Sequence, residues 1–235
     1  MASVGVEWIN NFPPPCDFNE LSYCDETSVG FANAMRNRGH TVVFNWGDGS
    51  AWERDFRDPA FGGSDTSYSD SVDFVHFSAH GSCGTDNVFR GYFGSQVDAC
   101  TWRSDRARFG NTNLEYLLID ACQSLELSRD IIAVWHNAFY GLHMVFGFNR
   151  FVSDSWWTGG RGYDFGWRVG GGDVLCTSWL DECYTGWPFD DNPVVMAAGR
   201  DYWDANYRLN YETIYSNFGD IPHNEIGWYA WRWRD

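Results

Sequence analysis

The sequence predicts an α/β protein built on a mostly parallel sheet flanked by helices. Short apolar runs at 4–9, 72–80, 114–122 and 142–148 have the length of buried strands. Helical patterns at 28–38 and 125–140 each separate two strands, which is the β-α-β unit of a parallel sheet. The 235 residues, 44% hydrophobic and 19% aromatic, suffice for one domain with a sizeable core.

Residues 4–9 read as the first strand, and Phe12-Pro13-Pro14-Pro15 as a loop. The helix over 28–38 takes Ser28 as its N-cap and Gly39 as its stop. His40 to Phe44 is the next strand. Residues 47–71, rich in Gly, Asp and Ser, read as a long surface loop. A strand then ends at His80, and residues 84–103 read as a hairpin. The next strand runs from Leu114 to Cys122. In the helix over 125–140, Leu125, Ile131, Val134, Trp135 and Phe139 share an apolar stripe that Gly141 ends. Leu142 to Phe148 is a further strand. Beyond Asn149 the composition shifts. Residues 151–172, with paired Trp and many Gly, read as a mobile loop leading into a helix, and a helix is expected near 173–184. From Val194 onward the pattern is faint, apart from an edge strand over 226–233. The expectation is one domain over 1–235, with a core to about 150 and an α+β extension beyond it.

The net charge of −16 repels phosphate backbones and disfavours nucleic-acid binding, while a cationic substrate suits it. All sixteen basic residues are Arg, which excludes a Lys Schiff base and a P-loop. Neither a signal peptide nor a membrane span is readable, so a cytoplasmic location is expected. Seven cysteines without a CxxC pair argue against zinc ribbons and thioredoxin-like chemistry. Most are expected to be reduced and several buried.

Two strand ends carry chemistry. Phe77-Ser78-Ala79-His80-Gly81 ends one strand on an imidazole, and Ile119-Asp120-Ala121-Cys122 ends another on a thiol. Ligands bind at the carboxyl ends of strands in open α/β sheets. Neighbouring strands would therefore let His80 act as general base and acid for the nucleophile Cys122. Gly81 lets a substrate carbonyl approach the backbone, and the N–H groups of Gly81 and Cys122 would form an oxyanion hole.

These segments resemble the caspase-like cysteine peptidases. Phe77-Ser78-Ala79-His80-Gly81-Ser82 is similar to their His-Gly motif, and Asp120-Ala121-Cys122-Gln123-Ser124 to their nucleophile motif. Metacaspases and CHAT-type relatives are the nearest in pattern, and the resemblance covers about residues 1–150. It implies a caspase-like sheet, a His80–Cys122 dyad, and Asp120 in the S1 pocket selecting a basic P1 residue. Ser78 and Gln123, beside the two dyad residues, are candidate substrate contacts. The metacaspase nucleophile is followed by His-Ser-Gly, whereas this chain has Gln123-Ser124-Leu125.

Each assignment has a plainer counterpart. Cys122 could be a buried structural thiol, His80 a capped strand-end histidine, and Asp120 an acceptor for loop amides. Trp156 and Trp157 could cover the crevice as a lid or pack against the sheet. His76 shares parity with His80, but no third ligand stands nearby, so no metal or cofactor is expected. Cys83 reads as a loop thiol and Asp190-Asp191 as a solvated loop. The leading expectation is a cysteine hydrolase acting on a peptide. The alternatives are a cyclase, ligase or tailoring enzyme on a small substrate, and an inactive binding module. Oligomeric state is left open.

Overall fold

The computed structural model describes residues 1–94 and 99–235. Its centre is a seven-stranded sheet in the order β2-β1-β3-β7-β8-β9-β10. The strands are β1 (Ser3–Trp8), β2 (Thr41–Gly47), β3 (Phe74–Ser78), β7 (Tyr116–Asp120), β8 (Met144–Phe148), β9 (Pro193–Gly199) and β10 (Trp228–Trp233). Pairings from β2 through β8 are parallel, and β9 runs antiparallel to both its neighbours. A small antiparallel sheet holds β4 (Gly81–Cys83), β5 (Phe89–Tyr92) and β6 (Thr101–Arg103). It realises the hairpin expected over 84–103, of which residues 95–98 lie outside the described residues.

The main sheet is covered on both faces, which is why β3, β7, β8 and β9 read as continuous apolar runs. One face packs against α1 (Cys24–Asn37), α3 (Arg161–Gly170), α4 (Leu175–Glu182) and α5 (Tyr202–Tyr211), through Phe31, Phe165, Trp179 and Leu209 among others. The other packs against the small sheet, α2 (Ile131–Trp135) and the turns of 48–71, through Phe56, Trp102 and Trp135. Among the described residues no helix is long and apolar enough to cross a membrane.

Several expectations shift. α1 begins four residues before Ser28, which is not its cap but a buried interior residue bonded through Oγ to His76 Nδ1 at 2.9 Å. Gly39 does end the helix, at φ +89°. The strand before His80 stops at Ser78, because β3 loses its partner there. The helix expected over 125–140 is only α2 and one 3₁₀ turn, since residues 122–130 form tight turns around Ser124. The Gly-rich stretch read as a mobile loop forms α3. Its Gly162, Gly166 and Gly170 face α1, where an added Cβ at Gly162 would lie 2.0 Å from Thr27 O. These glycines are spaced for close helix packing rather than for flexibility.

Cys16 and Cys100 form a disulfide. The other cysteines are free, and Cys24, Cys83, Cys176 and Cys183 are buried.

Candidate active site

The chain leaves β1 outward to β2 and then returns across β1 to β3, so the strand order reverses between β1 and β3. Such a switch point opens a crevice at the carboxyl ends of the strands. A cavity of about 110 Å³ lies there. The β1–α1 connection contributes Leu21, Tyr23 and Cys24, and the ends of β3 and β7 contribute Ser78, His80, Asp120 and Cys122. The segment after β8 adds Val152, Asp154, Thr158 and Arg161.

The pairing of β3 with β7 sets Ser78 opposite Asp120, and Ala79 N donates to Asp120 O at 3.2 Å. His80 and Cys122 each follow two residues after that last pair, and both side chains line the cavity. His80 is held between Phe12 and Phe18, with ring centroids at 5.0 and 6.1 Å. Its Nε2 lies 2.8 Å from the carbonyl of Asn19. A carbonyl can only accept, so Nε2 is the donor in this bond.

Cys122 is half-buried, and its Sγ accepts from Val152 N at 3.3 Å. Burial pushes the thiol up, reinforced by the carboxylates of Asp120 and Asp191 and opposed by the Val152 amide. The resting side chain is therefore a neutral thiol. Gly81 passes so near the nucleophile segment that an added Cβ would lie 2.8 Å from both Ala121 Cβ and Cys122 O. Tyr92 N bonds to His80 O, which makes the next pair, Gly81 and Gly91, a non-hydrogen-bonded pair. The N–H of Gly81 thus points away from β5.

Asp120, which the resemblance implies as a partner for a basic P1 residue, lines the cavity but is already paired within the chain. It is 4% exposed and accepts Arg161 Nε at 2.8 Å. Arg161 also donates Nη1 to Asp191 at 3.0 Å and Nη2 to Ser153 O at 2.9 Å. An internal guanidinium therefore occupies the partner that a substrate arginine would have needed. Asp191, read as solvated, is fully buried and further accepts from Ser153 N and Thr185 Oγ1. Gln123 also departs from its expected role. Its Oε1 accepts from Cys83 N at 3.3 Å and its Nε2 faces Glu126, with the backbone at φ +57°. Trp156 and Trp157, 70% and 62% exposed, stack edge-on away from the cavity, and Trp157 borders a separate cleft with Trp187 and Phe189. The turn that carries them is fixed by Thr158 Oγ1 on Ser153 O and by Asp154 on the amides of Ser22 and Tyr23.

His76 does not pair with His80. It is buried against Phe31 and Ser28 of α1, and burial pushes it down to about 3, so it stays neutral. Cys24, Arg161 and Asp154 are among the pocket residues that the sequence reading missed. Cys24, at the start of α1, is buried beside Ser78, whose hydroxyl bonds its thiol. Arg161 and Asp154 come from the segment read as a mobile loop. The single basic residue inside Gly159-Gly160-Arg161-Gly162 was the one available signal.

Fold and site together define an α/β domain whose pocket joins a thiol and an imidazole at the carboxyl ends of adjacent parallel strands. The chain belongs to the family described as "Domain of unknown function (DUF6345)", whose family model matches residues 6–235. No curated protein matches the chain.

Proposed function

We propose that the protein is a caspase-like cysteine hydrolase acting on an amide bond through Cys122 and His80. The observation that carries this reading is that a thiol and an imidazole, at the ends of adjacent parallel strands, line one cavity. Since the resting thiol is neutral, His80 Nδ1 takes its proton as Sγ attacks the substrate carbonyl. The N–H groups of Gly81 and Cys122 face the developing oxyanion. His80 then returns the proton to the leaving amine, and a water molecule that it deprotonates hydrolyses the thioester.

The cavity is smaller than the roughly 300–1,000 Å³ of drug-sized sites and fits about one side chain. Its wall holds Asp120, Asp154 and the single cation Arg161. Because Arg161 already pairs with Asp120, the exposed Asp154 at the rim is the carboxylate available to a basic P1 group. Ligation in place of hydrolysis needs water excluded from the thioester, and Trp156 and Trp157, which do not line the cavity, lend that alternative no support.

The test is cleavage of a peptide library varied at P1 by the parent, Cys122→Ala, His80→Ala and Asp154→Asn proteins. Cleavage after Arg should vanish in the first two variants and lose its P1 preference in the third. Iodoacetamide labelling of Cys122 should inflect above the ordinary thiol value of about 8.5. Intact peptides with the parent, together with a Cys122 no more reactive than Cys83, would leave a binding module as the better account.

A further inference from the structure

At the opposite end of the same strands is a second cluster. Glu115 immediately precedes β7, His143 immediately precedes β8, and Asp220 lies in the connection from α5 to β10. Counted along β7, Glu115 and Cys122 are separated by about 20 Å of extended chain. We propose that Glu115, His143 and Asp220 bind one divalent transition-metal ion, with zinc the best match, and that this ion pins the 212–227 connection to the amino ends of β7 and β8.

The donor atoms of the three residues all lie within 4.8 Å of one another. His143 Nε2 and Asp220 Oδ1 are 3.3 Å apart, the separation of adjacent donors around a tetrahedral ion with bonds of about 2.0–2.1 Å. The outer partner of the histidine is also in place. Its Nδ1 lies 2.6 Å from Glu212 Oε1, which also accepts the Tyr116 hydroxyl at 2.8 Å. A carboxylate on Nδ1 holds the proton there and turns the Nε2 lone pair toward the ion, as the outer shells of histidine metal sites do.

Glu212 is fully buried, and its second oxygen, Oε2, has no hydrogen-bond partner among the described residues. Three carboxylates thus converge on one imidazole. The nearby Arg208 directs its guanidinium to Asp204 and to the carbonyl of Gly219. Two carboxylates and one imidazole form a hard-to-borderline donor set suited to zinc or manganese, and the exposed side of Asp220 leaves a coordination position for water.

The test uses the full chain, stripped with a chelator and titrated with Co²⁺ and, separately, Zn²⁺. One Co²⁺ per chain should bind with d–d absorption and no thiolate charge-transfer band, and Zn²⁺ should raise Tm. Asp220→Asn and Glu115→Gln should weaken Co²⁺ binding tenfold or more with unchanged circular dichroism, while Cys122→Ala should not. Three results would overturn the proposal. One is no uptake and no shift in Tm. Another is a thiolate band, which would place the ion on cysteines. The last is binding unaffected by Asp220→Asn, which would leave His143 as a protonated bridge between Glu212 and Asp220.

Discussion

Arg161 puts three N–H groups on Asp120, Asp191 and Ser153 O, and its guanidinium also lies 5.2 Å from the Phe148 ring centroid. Two buried carboxylates depend on that one cation. Arg161→Met should destabilise the fold by about 3–5 kcal/mol, the range for breaking a buried ion pair by removing one partner. Urea denaturation of parent and variant measures it, and a change under about 1 kcal/mol would mean the carboxylates take protons instead. At this scale the sequence was readable where chemistry is local. His80, Gly81 and Cys122 announce themselves as the ends of apolar strands. Arg161, Asp154 and Asp191 do not, because the bonds Arg161–Asp120, Arg161–Asp191 and Ser22–Asp154 join residues 41, 30 and 132 positions apart along the chain.

Among the elements, the parallel strands were legible from their apolar runs, and β10 from its weak alternation. The failures share a cause. α3 was hidden because three of its glycines lower helix propensity, and packing against α1 overrides that preference. The segment 48–71 was read as open loop but is a chain of 3₁₀ turns tied down by acidic side chains. Asp70 in it accepts the amides of Gly110, Thr112 and Leu114. Its neighbour Asp65 is buried, and burial, with the charges of Asp70 and Asp58, raises its carboxyl from 3.8 to about 7. The folded state therefore holds this proton more tightly than the unfolded chain. Its contribution is full below pH 3.8 and is lost as the pH rises through about 7. Urea midpoints measured across that window should fall more steeply for the parent than for Asp65→Asn. Parallel curves would remove Asp65 as the source.

For the whole molecule, the net charge of −16 sets a self-repulsion that salt relieves. Tm should rise by several degrees between about 0.05 and 1 M sodium chloride, where the Debye length drops to about 3 Å. A flat or falling Tm would show that the acidic surface is already compensated. The expected core to about residue 150 and the extension beyond it were read as one domain. The main sheet continues through β9 and β10, and Val152, Asp154 and Arg161 complete the cavity opened by the first half. The resemblance ended where its motifs ended, not where the structure does.

The Cys16–Cys100 bond anchors the connection that carries Phe12, Phe18 and Asn19, the three residues touching His80. Disulfides persist in oxidising compartments and are rare in the cytosol. On the mechanism proposed above, the chain is sensitive to redox surroundings twice over, in opposite senses: reductants that keep the Cys122 thiol competent open the Cys16–Cys100 bond beside His80, and oxidants that keep that bond closed put Cys122 at risk.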